Sequence, residues 1–179
     1  MILVNIVLVL FLIVALNVSV FWKHKTRKQR SWEELVAALQ PIERPSLEIA
    51  ARNHLDPQKD QLSLEPYQVW DLLGGFAGLE KLRANAELMM ELAAHVERWN
   101  YEEGTIVCEW IRRDAIALRK AVLRVELAYL FRKVYPTAWF RLPFHLNEAA
   151  SSYHLMRQRL LALYKNNHAG LYPRLVAAL

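Results

Sequence analysis

The chain has 179 residues, one cysteine, and 23 Lys and Arg residues against 18 Asp and Glu, which gives a formal net charge of +5. The single cysteine, Cys108, excludes an intramolecular disulfide and a zinc site built from several thiolates. The excess positive charge lies entirely within residues 23–30, because residues 31–179 carry 18 basic and 18 acidic side chains. The basic composition therefore does not indicate a nucleic-acid-binding domain, and we expect no nucleic-acid partner.

The first 22 residues, Met1 to Trp22, contain no charged side chain. A helix of this length, rising ~1.5 Å per residue, crosses the ~30 Å hydrocarbon layer of a bilayer. The alternative is a cleaved signal peptide, which normally carries positive charge before its apolar stretch and small residues after it. Both features are missing here. The sequence therefore predicts a transmembrane helix over residues 1–22.

The segment 23–30 that follows is a basic juxtamembrane segment. Lys and Arg close to a membrane span stay on the cytoplasmic side, so we expect the N-terminus outside and the following domain in the cytoplasm. Anionic lipid headgroups attract such residues by about 1 kcal/mol each. The predicted membrane-interface residues are Trp22, Lys23, Lys25, Arg27, Lys28 and Arg30.

Residues 31–75 are expected to form short helices and a connecting arm. Ser31 and Glu34 have the spacing of a capping box, in which each side chain bonds the backbone N–H of the other residue. This pair predicts a helix over about 32–40, which the proline at position 41 ends.

Prolines and a run of polar residues between 41 and 66 indicate the connecting arm, with room for one short helix near 46–54. A further short helix is predicted to begin at Pro66, since proline suits the first helical turn. It should end at the Gly74-Gly75 pair, because glycine is the usual residue just beyond a helix C-terminus.

Residues 76–179 are expected to form a helical bundle, because apolar residues recur at alternating spacings of three and four. We predict long helices over about 76–100, 105–135 and 147–167, and a short apolar tail over 171–179. A turn at Gly104 should fold the first two into an antiparallel hairpin. The predicted buried positions are Leu79, Leu82, Ala86, Met89, Ala93, Val96, Cys108, Ile111, Ala115, Leu118, Val122, Val125, Ala149, Tyr153, Met156, Leu160 and Leu163.

The two halves of the non-membrane part carry opposite charge: residues 31–110 have a formal net charge of −9 and residues 111–179 one of +9. If the hairpin turns at Gly104, Glu87 lies close to Lys120, and the two halves neutralise each other. The alternative is that the basic side chains Arg113, Lys120 and Arg124 face an acidic partner, an anionic lipid surface or, if the acidic half leaves them uncovered, nucleic acid.

Candidate catalytic and metal-binding residues are few. The sequence has no glycine-rich phosphate loop, no Gly-x-Ser-x-Gly and no His-Glu-x-x-His. Glu91 and His95 could supply two metal ligands, but a matching pair on another helix is missing. Cys108 falls on a predicted core position, which favours a buried inert thiol over a nucleophile. We expect no catalytic residue, metal or cofactor.

The segment Tyr135 to Phe144 contains four aromatic residues and two prolines between two predicted helices. A lid over the end of the bundle is the first interpretation. The alternative is a loop that places Trp139 and Phe140 in the membrane interface, where aromatic rings are favoured.

The predicted fold is all-α: an N-terminal single transmembrane helix followed by a cytosolic antiparallel helical bundle. With no reaction indicated, we expect a membrane-anchored cytosolic interaction or scaffold module that binds a protein partner, with self-association left open. The alternative is a membrane-tethered enzyme or lipid-binding module with a pocket between its helices.

Overall fold

The computed structural model describes residues 30–55, 66–98, 101–130 and 142–179. Every regular element in these ranges is a helix, so the all-α prediction is confirmed for them. The helices are α1 (Trp32–Ala37), α2 (Arg44–Leu55), α3 (Pro66–Leu72), α4 (Gly75–Glu97), α5 (Tyr101–Leu130), α6 (Leu142–Asn167) and α7 (Tyr172–Ala178).

The chain divides into two compact units, Met1–Glu34 and Leu35–Leu179. In the first unit, the backbone N–H of Ser31 donates to Glu34 Oε2 and that of Glu34 donates to Ser31 Oγ, each at 3.2 Å, so the predicted capping box is confirmed. The predicted transmembrane helix, residues 1–22, lies outside the described residues. None of the helices in the described part of the chain is long and apolar enough to cross a bilayer.

Helix α6 is the centre of the second unit and contacts α2, α3, α4, α5 and α7. The predicted core positions of α6 are all buried. In addition, the five consecutive residues Ala149–Tyr153 are buried, so this stretch is enclosed on every side. The small side chains of Ala150, Ser151 and Ser152 explain this, because they let neighbouring helices approach closely on faces that the apolar pattern does not mark.

Helices α4 and α5 form the predicted hairpin, and all twelve of their predicted core positions are buried. The predicted turn at Gly104 is wrong, because α4 ends at Glu97 and α5 already begins at Tyr101. Gly104 lies inside the first turns of α5, where an added Cβ atom would stand only 3.0 Å from Glu97 Cα. The glycine serves close approach of the two helices rather than chain reversal.

The segments expected to be an arm and a tail both contribute helices to the core, and the first of these, α2, is the short helix predicted near 46–54. Helix α2 packs on α6 through buried Leu47, Ala50 and Ala51. Helix α7 also packs on α6 with Leu175 buried, and Leu179, which directly follows α7, is buried as well. Prolines 45 and 173 do not interrupt these helices, since each lies at the second helical residue, where the backbone N–H has no intrahelical partner.

The corner between α3 and α4 follows the prediction, with Gly74 and Gly75 at φ values of 73° and 61°. Beside this corner, the rings of Trp70 (α3), Phe76 (α4) and Tyr129 (α5) pack together. Trp70 and Phe76 meet edge to face at a centroid distance of 4.8 Å. This cluster joins the corner to the C-terminal end of α5.

Candidate interaction surface

Charge pairing between α4 and α5 differs from the prediction by one residue. Arg119, not Lys120, reaches Glu87, with Nη2 3.1 Å from Oε1. A step of one residue turns ~100° around a helix, so Lys120 points away from α4. Among the described residues, neither Lys120 nor Arg113 has a hydrogen bond or ion-pair partner, although the Arg113 charge partly offsets the rise that burial causes in the pKa of the neighbouring Asp114 carboxyl. The ion pairs between the acidic and basic halves of the chain therefore do not include Arg113 or Lys120.

Other cations of the basic half form ion pairs with carboxylates of this same chain. Arg124 Nη1 lies 3.3 Å from Glu148 Oε2. The Arg159 guanidinium pairs with Asp114 and stands over the Trp110 ring, 5.5 Å from its centroid. Burial raises the pKa of the Asp114 carboxyl above its ordinary value, although the Arg159 charge acts in the opposite direction. These contacts fasten α5 to α6 and are structural.

A second regular pattern runs along α5 on the side away from its core. It consists of six residues with spacings of 3-4-3-4-3, and these define the outer face of α5: Arg113, Ile116, Lys120, Leu123, Leu127 and Leu130. All six are exposed. Ile116, Leu123, Leu127 and Leu130 keep 48%, 53%, 42% and 72% of their surface accessible. At ~3.6 residues per turn, this line lies about 140° around the helix from the buried line that starts at Cys108.

Cations and an aliphatic residue alternate in the N-terminal half of the outer face, and only aliphatic residues follow in its C-terminal half. Arg113 and Lys120 make its N-terminal half cationic, whereas Leu123, Leu127 and Leu130 make its C-terminal half apolar. None of its six residues is acidic. Nearby carboxylates are already engaged: Glu109 accepts a 2.9 Å hydrogen bond from Arg112, and Glu126 lies 3.9 Å from Arg83. The face therefore presents positive charge and aliphatic side chains together.

Sequence reasoning found only part of this surface. It selected the cations Arg113 and Lys120 but overlooked the aliphatic side chains in line with them. The available signal was the second 3-4-3-4-3 series, shifted by five residues from the core series of the same helix. A helix with two such series has two faces suited to packing against other helices.

Most predicted membrane-interface residues lie outside the described part of the chain. These are Trp22, Lys23, Lys25, Arg27 and Lys28, whereas Arg30 is described and exposed, separated from α1 by Ser31. The aromatic segment is also largely outside, since residues 131–141 are not described. Its last residue, Phe144, belongs to the first turn of α6 and is 56% exposed.

A cleft of about 240 Å³ lies between the α1–α2 connection and the α3–α4 corner. Its charged lining residues are Glu43, Asp71 and Lys81. Ligand pockets usually enclose ~300–1,000 Å³, so this cleft is small for a substrate site. Within the described ranges, no group of three or more His, Cys, Asp or Glu side chains is placed to hold a metal ion.

Buried polar groups in the core have structural roles. Asn85 Oδ1 accepts from the backbone N–H of Gln40 at 2.9 Å, and its Nδ2 donates to Gln40 O and to the Tyr153 hydroxyl oxygen. Burial raises the pKa of Tyr153 to about 12. The Tyr164 hydroxyl donates to Leu92 O at 3.0 Å. Each of these side chains ties two segments of the bundle together.

Cys108 is buried in the core of the α4–α5 hairpin. Burial, with a smaller contribution from the Glu97 charge, raises the pKa of its thiol to about 11. A nucleophilic cysteine needs a lowered pKa, because the thiolate is the reactive form. The environment of Cys108 therefore favours the inert, protonated thiol.

No protein-family model, curated protein or solved structure matches this chain. The outer face of α5 is a regularly spaced feature of the described residues that packing within the bundle does not account for.

Proposed function

We propose that this chain is a single-pass membrane protein, anchored by a helix over residues 1–22 with its N-terminus outside. Its cytosolic helical bundle acts as an interaction or scaffold module. The observation that carries the proposal is the outer face of α5, which joins exposed aliphatic side chains and cations without ion-pair partners among the described residues.

Regular spacing supports this proposal more strongly than exposure does. Single apolar side chains on a protein surface are common and need no explanation. Four aliphatic residues in one line at helical spacing have the pattern of a helix-packing surface. The opposite side of α5 already supplies its core contacts through residues such as Ile111 and Leu118. Among the described residues the outer line is not part of the core, which supports its use by a partner.

The alternative function, an enzyme or lipid-binding module with a pocket between the helices, has weaker support. The described cleft is small, and its lining combines Glu43, Asp71 and Lys81 with mainly aliphatic residues. Catalytic sites usually bring convergent polar groups together in a deep pocket. A larger role for this cleft has no observation in its favour.

The proposed topology predicts where a C-terminal reporter will be active. Five basic residues follow Trp22 directly, and such residues are retained on the cytoplasmic side. A reporter fused after Leu179 should therefore be active only in the cytoplasm. A reporter exposed on the outer side of the membrane would contradict the orientation. A fusion lacking residues 1–22 should leave the membrane fraction, which tests the anchor separately.

The proposed interaction predicts the size of the particle extracted from the native membrane in mild detergent. The unaltered full-length chain should migrate as a complex larger than one chain in its micelle. The double substitution Leu123→Glu and Leu127→Glu places charge on the apolar half of the outer face, so the variant should migrate as a single chain. Its unfolding midpoint should stay unchanged, because neither residue is part of the core.

Ile49→Glu is the matched control, since Ile49 is 44% exposed but lies on α2. This variant should retain the large complex. If the unaltered chain already migrates alone, or if the α5 variant keeps the complex, the outer face is not an interaction surface.

A further inference from the structure

We infer that the outer face of α5 binds an acidic amphipathic helix of a partner protein. This inference rests on the proposed function, since it requires the face to be an interaction surface, and it adds the chemistry of the partner. Apolar residues of that helix would pack on Ile116, Leu123 and Leu127. Its carboxylates would meet Arg113 and Lys120.

The spacing of the face selects a helix as the bound element. Its 3-4-3-4-3 series has the same form as the buried series by which α5 packs on α4 and α6. Alternation of three and four residues keeps side chains in line with the side chains of an adjoining helix. An extended strand or a flat loop surface has no matching periodicity.

The position of Lys120 indicates that the partner helix is acidic. It stands between Ile116 and Leu123 in the line, so a helix that covers those two residues must also cover its ammonium group. Removing a charge from water is costly unless an opposite charge meets it. Arg113, two helical turns earlier, is the first residue of the line, and a partner helix that extends over it would need a second carboxylate there. A partner with Asp or Glu at the two facing positions satisfies both.

A second copy of this chain does not meet that requirement. Two parallel copies would bring Arg113 against Arg113 and Lys120 against Lys120, with repulsion at both levels. Two antiparallel copies would bring Lys120 against Leu123 and Arg113 against Leu130, which gives neither cation a carboxylate. The acidic residues beside the face are paired within the chain, Glu109 with Arg112 and Glu126 with Arg83.

An anionic bilayer also fits the arrangement less well. A helix that lies in the membrane interface keeps apolar residues on one side and cations on the opposite or flanking side, where they reach the headgroups. Here Arg113 and Lys120 occupy the same line as the leucines rather than its margins. The cations would therefore have to leave the line for the apolar residues to insert.

Site-specific photo-crosslinking in the native membrane tests the inference with the full-length chain. The photoreactive residue benzoylphenylalanine replaces Leu123, and the crosslinked peptide is identified by mass spectrometry. We expect one peptide from a different protein, with Asp or Glu and apolar residues at helical spacing. Combining the probe with Arg113→Glu and Lys120→Glu should lower the adduct yield about tenfold or more, since two contacts become repulsive.

Lys81→Glu with Lys165→Glu is the matched control, because it makes the same charge change at two exposed lysines on α4 and α6. This control should leave the yield unchanged. An adduct with lipid, with this same chain, or with a peptide lacking acidic residues would overturn the inference. So would a protein adduct that survives reversal of both charges. A crosslink to any protein would still support an interaction module. The proposed function itself fails only if position 123 forms no protein crosslink and the unaltered chain migrates alone.

Discussion

Replacing Leu118 by Ala is expected to destabilise the bundle by about 2–5 kcal/mol. Leu118 is fully buried in the middle of α5, the longest described helix, so truncation removes apolar contacts and leaves a cavity between packed helices. The measurement is denaturant unfolding of the full-length chain in mild detergent, followed by helical circular dichroism.

Leu123→Ala is the matched control for this prediction, because it makes the same chemical change five residues later on the outer face. Leu123 is 53% exposed, so its truncation should change the free energy of unfolding by no more than about 0.5 kcal/mol. Equal losses for the two variants would show that the assignment of inner and outer faces on α5 is wrong.

Asn85→Ala is expected to cost about 2–4 kcal/mol, because one buried side chain makes three hydrogen bonds. Two of them bind the backbone N–H and C=O of Gln40 and so fix the α1–α2 connection to α4. The third reaches the Tyr153 hydroxyl on α6. Truncation leaves these groups without their partner and also opens a small cavity.

Tyr153→Phe separates these contributions, since it removes only the 3.1 Å bond from Asn85 and keeps the ring. Its expected cost is about 1 kcal/mol. Both variants are compared by denaturant unfolding of the full-length chain. A loss for Asn85→Ala no larger than that for Tyr153→Phe would mean that the bonds to Gln40 do not stabilise the bundle.

Residues with a strong local signal were predicted correctly. Ser31 and Glu34 form the capping box, and the glycines at 74 and 75 mark the end of α3. The apolar lines of α4, α5 and α6 are buried as expected. Each of these signals comes from chemistry within a few residues, such as side-chain capping, positive φ or the helical period.

Features that depend on distant residues were not predicted. Gly104 was taken for a turn because glycine is common there, but its role is to let Glu97 of the preceding helix approach closely. Ser151 and Ser152 lie outside the predicted apolar line of α6, yet they are buried because neighbouring helices enclose this part of α6. Neither environment can be read from neighbouring residues alone.

Only the cations of the outer face of α5 were predicted from the sequence, and its aliphatic residues were not, for a similar reason. Arg113 and Lys120 stood out by charge, but the pairing of Glu87 with Arg119 rather than Lys120 depends on the rotation of α5 against α4. A helix rotation of one residue decides which cation is neutralised and which faces outward. Once that rotation is known, the exposed leucines and the two cations fall on one line.

Cysteine labelling tests the central claim, that the outer face of α5 is covered by a partner in the native membrane, most directly. Leu123→Cys is introduced into a Cys108→Ser background, and the control is Lys165→Cys at the exposed end of α6. Both cysteines should react rapidly with a maleimide once the chain has been purified free of its partner. In the native membrane, position 123 should react several-fold more slowly while position 165 is unchanged. Equal labelling of position 123 in the two preparations would contradict the account.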